Sequence, residues 1–262
     1  NDNHGFQAAN NGFVTDFITI DNLGLGSGTL INPSSDYATS YRNQTKLISF
    51  FGRGTLNLND KYNLTATVRQ DGSSKFGKNN KWGLFPSFGA GWIISNEEFF
   101  GKPSGLNYLK LRVGWGQTGN SEGINPYNSI MLYGPSGTYY DGGVGDFLPG
   151  YAITQNANPN LKWEVLETAN VGLDFQLSSG RFSGTLEWYN KLTKDMLYNY
   201  SVPANGVDYF TGSILANVGT MKNSGLEFSF GGAVIDRPSF TWTPQLVVSY
   251  NKNKVVSLSN DQ

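Results

Sequence analysis

Side chains able to do bond-making chemistry are sparse in this sequence. The one histidine, His4, sits in a polar terminal stretch, and a His-based triad or a zinc site needs partners that such a stretch does not supply. There is no cysteine, so neither a disulfide framework nor a cysteine metal cluster can form. The run Gly24-Leu25-Gly26-Ser27-Gly28 has glycines spaced as in a phosphate loop, but it lacks the preceding strand and following helix that such a loop requires. The carboxylate pairs Glu97 with Glu98 and Asp141 with Asp146 fall in loop sequence, where solvation accounts for them. Asn43-Gln44-Thr45 and Asn63-Leu64-Thr65 match the glycosylation triplet, a pattern short enough to recur by chance. The expectation is no catalytic residue, no metal site, no cofactor and no enzyme. Binding chemistry is better represented. Tyr133, Tyr139, Tyr140 and Asp141 lie in one stretch dense in Gly, Pro and Asn, and tyrosines offer flat amphipathic surfaces to sugar faces or peptide side chains. The same rings could instead face a covering protein or pack the loop itself.

Composition narrows the setting of these residues. Over 262 residues the formal net charge is -1 and only 15% of residues are charged, against about 25% in an average soluble domain. Nucleic acid is excluded as a partner, since phosphate binding needs a basic stripe. Aromatics make up 14% and glycine contributes 33 residues, an excess suited to interfaces and close strand packing. No run of about 18 apolar residues occurs, which excludes a spanning helix but not a spanning β-barrel, whose strands need only about 9 to 11 residues with every second one apolar. The mean hydropathy of -0.35 agrees with such a barrel, because half of each strand and all loops are polar.

The elements that must position the tyrosines follow from period-two alternation. Residues 62–92 form the centre. Tyr62, Leu64, Ala66 and Val68 alternate with Asn63, Thr65, Thr67, Arg69 and Asp71, and after a polar loop Trp82, Leu84, Phe88, Ala90 and Trp92 alternate with Gly83, Ser87, Gly89 and Gly91. A strand over residues 45–59 precedes this pair, joined to it by the turn residues Asn59, Asp60 and Lys61. Further strands are expected near residues 109–118, 163–177, 181–191 and 226–230, and the last over 240–251 with Phe240 and Trp242 in it. Residues 1–44 read as a long polar loop with one weak apolar stretch at 13–20, and residues 45–262 as the sheet. Long loops after the second, fourth and sixth strands and short turns after the others give the asymmetry of an outer-membrane barrel, whose long loops are extracellular.

A soluble β-sandwich or propeller shares this alternation. Strand length favours the membrane, because the expected strands exceed the usual 5 to 6 residues of globular sheets, roughly twofold. So do the aromatics near strand ends, Tyr62, Trp82, Trp92, Trp163, Trp188 and Tyr250, placed as an interfacial girdle. Arg53, Arg69, Lys110, Arg112, Glu187 and Glu227 then point inward to a polar lumen, which suits an arc of a wide barrel better than a narrow closed one.

The central stretch resembles the SusC/RagA family of TonB-dependent outer-membrane transporters, in which a pattern close to R-x-D-G-S-S-x-F-G followed by W-G-x-F-P-S recurs. Here it is carried by Arg69, Asp71, Gly72, Ser73, Ser74, Phe76, Gly77, Trp82, Gly83, Phe85, Pro86 and Ser87. LKLRVGWGQTGN over residues 109–120, NPNLKWE over 158–164 and NVGTMKNSGLEF over 217–228 are similar to the family as well. The resemblance implies an all-β fold: about eight antiparallel strands of a transmembrane β-barrel of the 22-stranded plugged type. It implies an importer of oligosaccharides or peptides in the bacterial outer membrane, working under a SusD-like surface lipoprotein and driven by TonB. A plug domain and closing strands belong to that architecture and are not in these 262 residues, so the chain is expected to be a fragment that does not transport alone. Within the motif, Asp71-Gly72 is expected to turn out of the membrane, Ser73 and Ser74 to bond the backbone locally, and Phe76 to pack under the loop. Shaping the loop is the reading preferred over direct ligand contact. The alternative for the whole chain is a soluble β-sheet carbohydrate-binding module.

Overall fold

The computed structural model describes residues 2–6, 40–101, 103 and 105–258. Its main element is one antiparallel sheet of eight strands: β1 (Leu47–Leu58), β2 (Tyr62–Ser73), β3 (Trp82–Ile93), β4 (Leu106–Asn120), β5 (Glu164–Leu177), β6 (Phe182–Lys194), β7 (Thr220–Gly232) and β8 (Gln245–Ser257). Each strand pairs with the next in this order, and they run from 12 residues in β1 to 15 in β4. At about 3.3 Å per residue the shortest reaches about 40 Å, enough to cross a bilayer while tilted.

One register line shows why the sheet has two unlike faces. Leu56, Leu64, Ala90, Val113, Val171, Trp188, Leu226 and Tyr250 stand side by side across all eight strands. The adjacent line on the opposite face is Thr55, Thr65, Gly89, Gly114, Asn170, Tyr189, Gly225 and Asn251. Shifting any strand by one residue would exchange these faces, so the apolar pattern itself fixes the register. No second layer covers the apolar face among the described residues: Val68, Leu84, Phe88, Leu226 and Leu246 are all exposed there. A soluble sandwich would bury this face, so the sandwich architecture is not the one formed.

The short connections lie at one end of the sheet. Asn59 and Asp60, with φ of 53° and 51°, join β1 to β2, the paired left-handed conformation of a tight hairpin. Ser178, Ser179 and Gly180 join β5 to β6, also at positive φ. Residues 94–105 and 233–244 lie at the same end. The other end carries residues 74–81, 121–163 and 195–219. The expected alternation of lengths therefore fails at one loop, since 94–105, like 233–244, is longer than 74–81. Residues 94–105 are folded into two 3-10 turns, Ile94–Asn96 and Glu98–Phe100, and residues 74–81 are held tight by packing described below.

Both long segments contain hairpins of their own: Leu132–Asp141 with Asp146–Gln155, and Leu197–Ser201 with Ser213–Asn217. A third, Ile235–Arg237 with Phe240–Trp242, takes Phe240 and Trp242 out of the last barrel strand. Pro244 has no N–H to donate to a ladder, and β8 starts directly after it. Asp2–Phe6, which includes His4, pairs with Ser40–Gln44, so the described ends of the expected 1–44 loop are strand. The stretch at 13–20 and the Gly24 to Gly28 run lie outside the described residues.

Candidate functional site

The motif residues sit where β2 and β3 emerge at the long-loop end. Asp71, Gly72 and Ser73 remain in the ladder, Asp71 opposite both Ser49 and Gly83. The expected Asp71-Gly72 turn is thus corrected: the chain leaves the sheet only at Ser74. Gly72 serves another purpose, since a Cβ there would stand 2.7 Å from the Trp82 indole. The bare glycine lets that ring lie across the outer face, where it stacks 6.2 Å from Phe50. Asp71 points inward, is 6% exposed, and accepts the Arg69 Nε hydrogen bond on both carboxylate oxygens at 2.8 Å. Arg69 also reaches the Ser49 hydroxyl at 3.4 Å and leaves half of its side chain open to the inner surface. Ser73 Oγ accepts the Lys75 N–H at 3.3 Å, a local bond. Ser74 Oγ instead accepts the Lys46 N–H at 2.9 Å and ties the loop to the start of β1. Pro86 lies on the outer face opposite Val68. A shallow inner cleft of about 390 Å³ opens between Thr67, Arg69, Asp71, Phe85, Ser87 and Thr168.

The hydrophobic core of the described residues is a single small cluster at this end: Phe76, Phe85, Ile124, Leu161 and Trp163. Phe76 and Trp163 ring centres are 4.7 Å apart, and Phe85 meets Trp163 edge-on at 5.6 Å. The Trp163 indole donates to the Lys81 carbonyl at 3.2 Å. Trp163 is therefore no part of an interfacial girdle, as its position near a strand end suggested. It precedes β5 rather than lying on it, and its N–H finds a backbone acceptor in the loop before β3. Ile124 and Leu161 complete the cluster; strand periodicity signals neither, although Leu161 lies in the NPNLKWE stretch.

Asparagines lock the long loops to this cluster by taking the place of backbone partners. Asn217 accepts the Lys162 N–H at 2.9 Å and donates to the Lys162 and Asp195 carbonyls at 2.7 and 2.9 Å. Asn158 donates to the Leu215 carbonyl at 2.8 Å. Asn156 uses all its bonding capacity on the backbone of residues 210–213. The three separated stretches around Phe76, Asn158 and Asn217 thus converge on one assembly, a relation that strand periodicity does not reveal.

The tyrosines occupy a different place, the hairpin rising from residues 132–155. Tyr133, Tyr139 and Tyr140 are 69%, 54% and 60% exposed. Tyr140 packs edge-on against Phe147 across the hairpin at 5.5 Å. Asp141 caps the hairpin turn, its Oδ1 accepting the Gly143 and Val144 N–H groups at 2.7 and 3.3 Å. Oδ1 is thus committed to the turn, and Tyr133, Tyr139 and Tyr140 are the exposed rings beside it. A second aromatic cleft of about 650 Å³, formed by Tyr198, Tyr200 and Tyr209 with Asn158 and Lys162, was not singled out by sequence.

On the inner wall Arg112 forks onto Asp174 at 2.7 and 3.0 Å and reaches Glu187 at 3.3 Å. Bidentate pairing of this kind is strong and geometrically specific. Gly172 makes room for it, since a Cβ there would lie 2.7 Å from the Arg112 guanidinium. At the short-turn end Glu97, read from sequence as a solvated loop carboxylate, is an anchor. It accepts the Tyr62 hydroxyl at 2.6 Å, the Trp92 indole N–H at 3.0 Å and Lys61 at 3.0 Å. These three donors, Tyr62 foremost, hold its carboxyl down to about 2.

Comparison with known proteins places this geometry. Residues 1–261 match the family described as TonB dependent receptor-like, beta-barrel. The chain is 36% identical over 221 residues to the TonB-dependent receptor SusC of Bacteroides thetaiotaomicron, covering 84% of this chain and 22% of that protein. It is 37% identical over 258 residues to the TonB-dependent receptor P3 of Formosa agariphila, covering 98% and 24%. Among solved structures it is similar to the RagAB peptide importer in its closed-closed state, with a TM-score of 0.78 at 28% identity, covering 98% of this chain and 27% of that one. The chain spans about a quarter of the length of the curated relatives it matches.

Proposed function

The chain belongs to the TonB-dependent receptor β-barrel family, on its SusC/RagA side, and from that premise we propose that it builds one arc of the wall of an outer-membrane nutrient importer. The observation that carries this reading is the two-faced sheet. Its unbroken apolar line is left uncovered on one face, and glycines and amides line the other; in this reading the first meets lipid and the second a water-filled lumen. Such a face has no use in a soluble carbohydrate-binding module, which would aggregate through it. Residues 45–262 contribute the wall, and the long-loop end stands outside the cell.

In this reading the motif residues Arg69, Asp71, Gly72, Ser73, Ser74, Phe76, Trp82, Phe85 and Pro86 shape the rim rather than touch cargo. Asp71 is covered by Arg69, Phe76 and Phe85 are buried, and Gly72 is a seat for Trp82. Tyr133 and Tyr139 meet the ligand or the lid, on a hairpin whose tip is fixed by Asp141. The lid is a SusD-like lipoprotein, TonB engages a region outside this chain, and the cargo is a peptide or an oligosaccharide. Likeness to a peptide importer supports the peptide branch.

The test is deletion of residues 134–146 in the full-length protein, scored by binding of defined peptide and oligosaccharide pools. Binding should fall with the barrel still assembled. Unchanged binding of every pool would remove the hairpin from the site.

A further inference from the structure

The apolar pattern fixes the register against a slip of one residue, but a slip of two returns every side chain to its own face. Something else must exclude it. Where a tight turn joins two strands, as residues 59–61 and 178–180 do, the turn sets the register. The pairs joined at the long-loop end are connected by residues 74–81, 121–163 and 195–219, and each of them carries another device. A glycine of one strand lies opposite a long side chain of the other, which folds across it. Gly72 faces Trp82 in the β2–β3 pair and Gly225 faces Tyr189 in the β6–β7 pair. A Cβ on either glycine would stand 2.7 Å from the opposing side chain. Gly184 also receives Phe175, inside a hairpin whose turn already sets the register.

β4 and β5, separated by the longest connection, do this twice and reciprocally. Arg112 of β4 lies across Gly172 of β5, where a Cβ would stand 2.7 Å from the guanidinium. Asn170 of β5 lies across Gly114 of β4, where a Cβ would run into the Asn170 side-chain oxygen. Both side chains are pinned by Glu187 on β6, which each of them reaches at 3.3 Å. A two-residue slip of β5 spoils this fit in either direction. One way sets Arg112 against Asn170; the other sets Gly114 against Gly172 and takes Arg112 off its seat onto Asp174.

We propose that these glycine seats, rather than the loops, set the register of the strand pairs joined at the long-loop end. A loop relieved of that task can change in length and sequence while the wall stays as it is. In the reading above those loops meet the cargo, so the seats let specificity vary on a constant wall. That consequence rests on the proposed function; the register lock does not.

The test uses the full-length protein in a cysteine-free background. Assembly is read as the fraction of heat- and protease-resistant barrel, and register by oxidising cysteine pairs on the outer face. Directly opposite Cα atoms lie about 4.5 to 5.5 Å apart, within disulfide reach, and positions two residues off lie at roughly 7 to 8 Å, outside it. With native seats, Val113→Cys should crosslink to Val171→Cys, its ladder partner, and not to Leu173→Cys. Gly114→Asn should lower assembly about fivefold or more, and in what assembles the crosslink should move to position 173, where the new asparagine meets Gly172. Adding Asn170→Gly rebuilds the seat with its sides exchanged, and should restore both assembly and the 113–171 crosslink. Gly89→Asn is the control, since a Cβ there has nothing within 4 Å, and it should assemble in the native register. Normal assembly and register in Gly114→Asn would overturn the proposal. If Gly114→Asn does not assemble at all, failure of the double variant to recover overturns it. Equal damage from Gly89→Asn would also overturn it, because bulk on the inner face would then be at fault. Deleting residues 134–146 should leave the 113–171 crosslink in place; a crosslink moved by that deletion would return the register to the loop. None of these readouts involves cargo, so the lock and the proposed function can fail separately.

Discussion

Gly77 lies so close to Pro159 that a Cβ on it would stand 2.0 Å from the Pro159 carbonyl oxygen. The loop between β2 and β3 and the loop before β5 therefore meet backbone to backbone, and the Phe76 ring beside this contact is fixed against Trp163. Two hydrogen bonds flank it, Asn80 to the Asn160 carbonyl at 3.0 Å and Lys75 to the Ser121 carbonyl at 3.2 Å. The rim of the wall is one body rather than a set of independent loops.

Gly77→Ala should break that body open. Backbone cannot yield as a side-chain tip can, so the cost is that of overpacking, about 1 to 3 kcal/mol. In the full-length protein, trypsin should cut after Lys75, Lys78 or Lys162 several times faster than in wild type, with the barrel still resistant. Unchanged cleavage would show that the two loops separate freely.

Asp71→Ala separates the shaping role from ligand contact. Arg69 loses its partner but is half exposed, so the loss is that of a surface pair, about 1 kcal/mol or less. Uptake by the full-length protein should persist within twofold or so of wild type. Full assembly with uptake abolished would instead make Asp71 a ligand contact.

Alternation placed Leu56, Leu64 and Val113 on one face because a strand's side chains must alternate, and nothing nonlocal competes with that rule inside the wall. Periodicity ends where strands end. Sequence alone puts Trp163 in the girdle because a tryptophan near a strand end can serve lipid or a buried cluster, and only the Lys81 carbonyl decides which. Asn156 and Asn217 look like any polar loop residue, and their worth lies in backbone partners over 50 residues away. Glu97 reads as a solvated carboxylate for the same reason: Tyr62 and Trp92 are brought to it by a hairpin.

Gly172→Ala should dislodge Arg112 from Asp174 without altering the apolar face. The carboxylates of Asp174 and Glu187 would then face the lumen unpaired. In planar bilayers, a full-length protein with an open lumen should become more cation-selective, by a shift in reversal potential. An unchanged potential would mean that Arg112 keeps its fork by another path.

Glu97 predicts a pH dependence at the short-turn end. Its carboxyl titrates at about 2 in the fold against an ordinary 4.5. A depressed folded value stabilises above the ordinary one, and that contribution is lost as pH falls from about 4.5 towards about 2. Amide exchange of residues 94–100, corrected for intrinsic rates, should lose protection across this window. Glu97→Gln should start less protected at neutral pH and show little further change. A wild-type segment equally protected at both limits would refute the anchor.

The central claim is that the apolar face meets lipid, the polar face meets the lumen and the long-loop end is outside. The sequence contains no cysteine, so single cysteines placed in a full-length cysteine-free background report position directly. In intact cells a membrane-impermeant maleimide should label Gly142→Cys on the tyrosine hairpin and leave Asp60→Cys unlabelled until the outer membrane is opened. In purified protein, a lipid-dissolved quencher should reach a fluorophore at Val68→Cys but not one at Thr67→Cys. Labelling of Asp60→Cys first, or equal quenching at the two adjacent positions, would contradict the account.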